Sequence, residues 1–147
     1  MLVEPEIPGN TGNVGRTCVA AGATLHLVGR LGFSLSERRI KRAGMDYWPK
    51  LSLEVHGTWK DFLDSLPPAA RLRGFATGGT KSLWEAPFQD EDYLLFGKES
   101  TGLTPEALAA CGSEIYRIPM KPEARSLNLS SSAAVVLYEA ERRLARL

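Results

Sequence analysis

The stretch IPMKPEARSLNLSSSAAVVLY, residues 118–138, changes character halfway along. Pro119 and Pro122 each remove a backbone donor and fix a φ angle, so the first half is predicted to be an irregular loop. From Asn128 onward, apolar residues recur at three- and four-residue steps, which is typical of one face of an amphipathic helix. These residues are Leu129, Ala133, Val136, Leu137, Ala140 and Leu144.

The start of this helix also has a chemical signature. Ser126 or Asn128 is placed to cap the first amides. A structured loop that leads into a capped helix is suited to hold a ligand, because the free amides and the positive helix end point the same way. A plain connection before a terminal helix fits the same pattern, and this stretch alone does not decide between the two.

The composition is that of one globular domain. The chain has 147 residues, 44% of them apolar and 24% charged, so we predict a single domain over residues 1–147 with its own core. The net charge is +1, so any contact with nucleic acid has to depend on a local patch. No run approaches the ~20 apolar residues that span a bilayer, and no basic-then-apolar leader is present. We therefore expect a cytoplasmic protein with no membrane partner.

Metal-binding patterns are weak. Cys18 and Cys111 form neither a CxxC pair nor a disulfide framework. His26 and His56 are far apart in sequence and far from both cysteines. We therefore expect no metal site.

Strand-like and helix-like segments alternate along the chain, which predicts an α/β domain with a mostly parallel sheet flanked by helices. The predicted strands are a stub at residues 1–3 and segments 24–29, 51–55, 72–77, 93–97 and 114–118. The predicted helices run from a cap at Asn10 or Thr11 to about Ala21 with Gly22 at the end, over 36–44 and 58–66, and from a cap at Thr104 over 105–111.

The helix predicted at residues 36–44 has a basic face. Four cations fall within about half of its circumference at 100° per residue, and two aromatic residues follow. Such a surface could hold phosphates and stack a base, although a solvated helix face fits the pattern too. The residues are Arg38, Arg39, Lys41 and Arg42, with Tyr47 and Trp48.

Two glycine-rich stretches imitate nucleotide-binding motifs. GFATGGTKS, residues 74–82, approaches the phosphate-loop pattern GxxxxGK[ST], but Thr80 stands where the lysine belongs. Gly9, Gly12 and Gly15 are evenly spaced and so do not give the dinucleotide pattern GxGxxG. We expect neither kind of site.

Three separated segments combine glycine or proline with polar groups: NTGNVGR at residues 10–16, LFGKESTGL at 95–103, and the stretch at 118–138. Together they resemble the three motifs of the SPOUT superfamily of RNA 2′-O-methyltransferases. EPEIPGNTGN at residues 4–13 and KRAGMDY at 41–47 are similar to the tRNA wobble-position (cytidine/uridine-34) 2′-O-methyltransferases within it. The resemblance covers nearly the whole chain.

The resemblance implies a C-terminal deep trefoil knot, one of the rare exceptions to unknotted topology. It also implies S-adenosylmethionine as the cofactor, leaving as S-adenosyl-L-homocysteine. Backbone groups around Phe75, Gly97, Ile118 and Met120 would contact the adenine and ribose, and Ser126 and Leu127 would close over the ligand.

For catalysis, the resemblance implies Arg16 contributed by the other subunit. Arginine stays protonated in proteins, so we expect Arg16 to clamp an RNA phosphate and orient the 2′-hydroxyl, with phosphate or water taking the proton. Asn10 would position Arg16 or the substrate. Glu99 would orient groups of the site through hydrogen bonds, and Asn128 would hold the ribose or the loop.

The resemblance further implies a homodimer with a shared active site that methylates the wobble nucleotide of tRNA. Val135, Val136 and Tyr138 on the terminal helix fit a dimer face or an ordinary core face. Two alternatives stay open at this point: 2′-O-methylation of ribosomal RNA, and a non-catalytic knotted protein that binds RNA or assists ribosome assembly.

Overall fold

The computed structural model describes residues 1–34 and 47–145, and the described residues form a parallel sheet between two layers of helices. The α/β prediction is confirmed. The basic residues Arg38, Arg39, Lys41 and Arg42 lie outside the described residues. The trefoil knot stays a prediction.

In the part of the chain that the structure describes, seven strands make up the sheet, and every pairing between them is parallel. The strands are β1 (Leu2–Val3), β2 (Leu25–Val28), β3 (Leu53–His56), β4 (Leu72–Phe75), β5 (Lys81–Ser82), β6 (Tyr93–Leu95) and β7 (Ile115–Arg117). They are hydrogen-bonded in the orders β1-β2-β3 and β5-β7-β4-β6.

Phe96 joins these two groups of strands. Its carbonyl accepts a hydrogen bond from Val3 N at 2.8 Å, and its amide donates to Met1 O at 3.1 Å. The full order is therefore β3-β2-β1-β6-β4-β7-β5. The two-residue β1, predicted as a stub, lies near the middle of the sheet.

The helices are α1 (Pro8–Ala21), α2 (Trp59–Ser65), α3 (Pro105–Cys111) and α4 (Leu129–Arg143). α1 and α4 pack against each other. Core residues alternate along β2: Leu25 and Leu27 belong to the cluster that contains α1 and α4, whereas Val28 belongs to the cluster of α2 and α3. None of the described helices is long and apolar enough to cross a membrane.

Local signals set most of the helix ends. Thr58 caps α2 with a capping box to Asp61, Thr104 caps α3, and Gly22 ends α1 with a φ of 70°. The prediction for the start of α1 was wrong, because the helix begins at Pro8 and its N-cap is Ile7, which has no side-chain cap. Proline suits the first helical position, since its φ is fixed there and its missing N–H is not needed. Asn10 and Thr11 lie inside the first turn.

For α4 the cap is Asn128, not Ser126. The Asn128 side chain accepts hydrogen bonds from the Ser130 amide at 2.9 Å and the Ser131 amide at 3.4 Å. The predicted stripe faces the core, with Val136 fully buried. Val135 and Tyr138 are 38% and 46% exposed, so the face proposed for a dimer divides into a core residue and two surface residues.

A cluster of ion pairs around the buried Arg73 links β4, β5 and β7. The Arg73 side chain is 4% exposed; its Nε lies 2.5 Å from Asp92 Oδ2 and its Nη1 lies 2.5 Å from Glu114 Oε2. Lys81 Nζ in β5 contacts Glu114 Oε1 at 3.1 Å. Because Lys81 is part of a strand and is paired with a carboxylate, GFATGGTKS is a sheet connection and not a phosphate loop.

Arg73→Met is expected to lower the free energy of unfolding by roughly 3 kcal/mol, because the buried Asp92 loses one of its two arginine partners and keeps Arg71, at 2.7 Å. Urea denaturation measures the change. Arg142→Met is the matched control, because it removes an arginine–carboxylate pair whose arginine is 68% exposed; its effect should be small. Equal effects of the two substitutions would contradict a structural function for the buried cluster.

Candidate active site

A cavity of about 820 Å³ lies at the carboxyl ends of β4, β6 and β7. Ligands of parallel sheets commonly bind at this edge, where the loops that follow the strands converge. All six predicted cofactor-binding residues line it: Phe75, Gly97, Ile118, Met120, Ser126 and Leu127. Asn10, Glu99 and Asn128 line it as well. The structure thus brings all three sequence motifs to one cavity, and the function of each residue stays a prediction.

The loop of residues 97–102 is a tight backbone ring. Lys98 N donates to Gly102 O at 3.0 Å, and Gly102 N donates back to Lys98 O at 2.9 Å. A Cβ added to Gly97 would lie 2.0 Å from the Gly102 carbonyl carbon, and Gly102 has a φ of +76°. Both positions therefore require glycine, which lets the chain fold back on itself with Glu99 held in the ring.

The Glu99 carboxylate supplies the missing cap of α1. It accepts hydrogen bonds from the amides of Glu6 at 2.8 Å and Ile7 at 3.2 Å, and from Asn10 Nδ2 at 3.0 Å. A negative charge at a helix N-terminus pairs with unsatisfied amides and with the positive end of the helix dipole. Glu6 reciprocates, because its carboxylate accepts from the amide and hydroxyl of Ser100, both at 2.9 Å.

Asn10 extends this contact to the third motif. Its side chain is buried, and its Oδ1 accepts a hydrogen bond from Asn128 Nδ2 at 3.0 Å. Asn128 in turn caps α4. A chain of three side chains, Glu99–Asn10–Asn128, therefore joins the 97–102 loop to the first turns of α1 and α4.

The same contacts set the acidity of Glu99. Burial by itself raises the pKa of this carboxyl, but the hydrogen bonds from Asn10 and from backbone amides outweigh burial and lower the pKa below its usual value. Glu99 is therefore ionised at neutral pH and is a poor proton acceptor.

The cavity wall is mostly apolar with backbone polar groups between. The Phe75 ring packs into the core against Phe96, with the ring centroids 5.4 Å apart, so the backbone of residues 75–78 lines the cavity. Ile118, Met120 and Leu127 add apolar side chains. Residues 121–128 are all exposed, and residues 125–128 line the cavity.

Arg16 is not among the residues that line this cavity. It is exposed on α1, six residues beyond Asn10 and so about 9 Å further along the helix. Its guanidinium carbon lies 4.8 Å from the centre of the Tyr47 ring, a cation–π contact. The Tyr47 hydroxyl donates to Gly12 O at 2.5 Å. Within one chain, the structure does not bring Arg16 to the other predicted catalytic residues.

Sequence reasoning missed several residues of the site. Glu6 fixes the 97–102 loop, and Arg125, Thr77 and Gly78 line the cavity. Arg125 stands inside the stretch of residues 118–138 that resembles the third motif, so the sequence did carry a signal for it. Glu6 carried no local signal, because its partner Ser100 is 94 residues away.

Glu99→Gln is expected to destabilise the fold in a pH-dependent way. The folded pKa of Glu99 lies below 4.5, so its carboxylate stabilises the fold fully above pH 4.5 and loses this effect as the pH falls through the folded pKa. The stability difference between wild type and Glu99→Gln should therefore be largest above pH 4.5 and shrink in more acidic buffer. Urea unfolding across that range measures it, and a pH-independent difference would contradict the capping function.

Three comparisons with known proteins bear on this site. The sequence profile of the SpoU rRNA Methylase family matches residues 1–138. A tRNA (cytidine(34)-2′-O)-methyltransferase of Saccharophagus degradans is 45% identical over 98% of this chain and 94% of that protein. A structure solved for insight into the 2-OH methylation of C/U34 on tRNA superposes with a TM-score of 0.90 at 49% identity, covering 98% of this chain and 88% of that chain. An AdoMet-bound rRNA methyltransferase from Sinorhizobium meliloti superposes with a TM-score of 0.84 at 30% identity, covering 97% of this chain and 55% of that chain.

Proposed function

The chain belongs to the SpoU rRNA methylase family, and we propose that it methylates the ribose 2′-hydroxyl of cytidine or uridine 34, the wobble nucleotide of tRNA, with S-adenosylmethionine as methyl donor. One observation carries the proposal. The residues of all three motifs meet at one cavity, in a chain that is similar over nearly its whole length to a protein named for this reaction.

The cavity fits S-adenosylmethionine in size and chemistry. Its volume of about 820 Å³ lies in the range of small-molecule sites. Apolar side chains suit a purine, and backbone groups brought close by Gly97 suit its polar edge. When bound, S-adenosylmethionine supplies an electrophilic methyl group and leaves as S-adenosyl-L-homocysteine. The residues that would hold it are Phe75, Gly97, Ile118 and Met120 through the backbone, with Ser126 and Leu127 covering it.

Glu99, Asn10 and Asn128 act as positioning residues in this proposal. Their hydrogen bonds to one another fix the loop of residues 97–102 against two helix ends, which holds the cavity wall in place for an aligned transfer. Glu99 is unsuited to be the general base, because three hydrogen-bond donors from Glu6, Ile7 and Asn10 already occupy its carboxylate.

We propose that the active form is a homodimer in which Arg16 of one copy serves the cavity of the other. Arg16 is exposed and does not line the cavity of its own chain. In this proposal, a second copy of the chain brings its Arg16 to that cavity. Val135 and Tyr138, exposed on the helix that packs against α1, supply apolar surface for such an interface. The guanidinium stays charged, so it binds an RNA phosphate and orients the hydroxyl while phosphate or water accepts the proton.

The surface around Arg16 includes two residues that we propose bind tRNA. Tyr47 lies under Arg16, and Trp48 packs against α1 at Gly15. Aromatic rings beside cations suit stacked bases and phosphates. We propose that Arg38, Arg39, Lys41 and Arg42, which precede Tyr47 in the sequence, also contact the tRNA. A protein that modifies tRNA works where tRNA is found, so we place it in the cytoplasm.

Methylation of ribosomal RNA is the less supported alternative. The rRNA methyltransferase of Sinorhizobium meliloti is 30% identical, and this chain spans 55% of it. Labelled S-adenosylmethionine incubated with total tRNA and, separately, with ribosomal RNA distinguishes the two substrates. We expect label in tRNA at nucleotide 34. Label in ribosomal RNA alone, or tight cofactor binding with no transfer to either RNA, would overturn the proposal.

A mixing experiment tests the shared site. Arg16→Ala should bind the cofactor normally and lose most methylation. Leu127→Glu places a charge beside the apolar cavity wall and should weaken cofactor binding by about tenfold or more, so it should be nearly inactive when the cofactor concentration is held well below the dissociation constant of the variant. Co-refolding equal amounts of the two inactive variants should restore roughly a quarter of wild-type activity, because half of the dimers are mixed and each mixed dimer contains one intact site.

The control for mixing is each variant refolded alone, which should stay inactive. If Arg16 acts within its own chain, no mixed dimer contains an intact site and mixing restores nothing. Normal methylation by Arg16→Ala would refute its assigned function altogether.

Charge reversal tests the tRNA surface. Arg38→Glu combined with Arg42→Glu should weaken tRNA binding, flatten its dependence on salt, and leave cofactor binding intact. Lys60→Glu, compared with Arg38→Glu alone, changes the net charge equally at an exposed position on α2, and is the matched control. Equal tRNA affinity of these two single variants, measured by filter binding, would exclude the basic surface.

A further inference from the structure

The two histidines of the chain meet on the sheet. β2 and β3 pair in parallel with His26 opposite Glu54 and Val28 opposite His56. Residues 54 and 56 share one face of β3, so three polar side chains converge on the side covered by α2. His26 Nδ1 lies 3.2 Å from His56 Nε2, and Glu54 Oε2 lies 3.5 Å and 3.7 Å from these two nitrogens. His26 and His56 are far apart in sequence, which argued against a metal site, but the pairing of β2 with β3 brings them together.

These three distances match the spacing of metal ligands. A triangle with such sides has its centre about 2 Å from every corner, which is the length of a zinc–nitrogen or zinc–oxygen bond. Two ligands of a tetrahedral zinc ion lie about 3.3–3.5 Å apart, close to the observed sides. An ion could therefore contact all three atoms with little movement of the backbone.

We propose that His26, His56 and Glu54 form a binding site for a divalent transition metal, with zinc as the best fit and water as the fourth ligand. Two imidazoles and one carboxylate are a ligand set that zinc uses in proteins, whereas calcium and magnesium prefer all-oxygen sites. The site joins β2 to β3, away from the cavity at the ends of β4, β6 and β7, and it is independent of the proposed methylation.

The surroundings support this assignment. The imidazoles of His26 and His56 are 12% and 10% exposed, whereas Glu54 is 56% exposed. Phe62 meets both rings edge-on, and Tyr93 meets His26 in the same way, so the two imidazoles lie together in an aromatic setting. A second cavity, of about 670 Å³, is lined by His26, Glu54 and Tyr93 and gives an ion and its water a path from solvent.

Without metal, the two facing ring nitrogens are placed to share one hydrogen bond. Metal binding requires both facing nitrogens to be unprotonated, so the proton moves through solvent to the outer nitrogen of the same ring. The ring nitrogens face each other, so each ring also turns toward the common centre when the ion binds.

Calorimetric titration with zinc chloride tests the proposal on the full chain, after treatment with a chelator and its removal. We expect one zinc ion per chain and a higher melting temperature. Titration with cobalt chloride should give the visible absorption of a tetrahedral nitrogen–oxygen site. Because the chain has two histidines in all, a bound ion with histidine ligands has to be at this position.

Variants assign the ligands. His56→Gln should abolish stoichiometric zinc binding, and Glu54→Gln should weaken it by about tenfold or more. Glu106→Gln, an exposed acid on α3, is the matched control and should bind like wild type. If His56→Gln proves unfolded by circular dichroism, Glu54→Gln decides, since its side chain is largely exposed. No zinc binding by wild type, or unchanged affinity in Glu54→Gln, would overturn the proposal.

Discussion

The Glu99 carboxylate holds the site together. It accepts hydrogen bonds from the amides of Glu6 and Ile7, just before α1, and from Asn10, which is bonded in turn to the residue that caps α4. Two helices that would each end in unsatisfied polar groups are thereby fixed to a loop at the carboxyl end of β6. Because the network is partly buried, each member depends on the others for its hydrogen bonds, and the cavity wall is fixed by the interactions that stabilise the helix ends.

The hydrogen bonds of Glu99 depend on a close contact between backbone segments of the loop of residues 97–102. Glu99 reaches α1 because residues 97–102 turn back on themselves, and this turn requires glycine at 97 and 102. The turn stands at the end of β6, beside the point where Phe96 links the two groups of strands. Phe96 links the two groups of strands, and the next residue, Gly97, begins the loop of residues 97–102. Formation of the sheet and formation of the site are therefore coupled.

The sequence predicted features whose causes are local. The stripe of α4, the caps at Thr104 and Asn128, and the end of α1 at Gly22 follow from residues within one turn of each other. The start of α1 was mispredicted because its capping group comes from Glu99, some ninety residues away. The strand β5, the cluster around Arg73 and the meeting of His26 with His56 were missed for the same reason: strand pairing creates them. The candidate site was assigned through the family resemblance, because no local pattern placed its segments together.

The chemistry of methyl transfer limits which group takes the proton. Arg16 cannot accept it, since a guanidinium stays charged. Glu99 is the carboxylate that the motifs bring to the cavity, yet its lone pairs are occupied and its pKa is lowered, so protonating it would break the network that shapes the wall. In the proposed reaction, this leaves an RNA phosphate or a water molecule as the acceptor. If a phosphate accepts the proton, a nucleoside without its phosphates should be a far poorer substrate than its affinity for the cavity alone would imply.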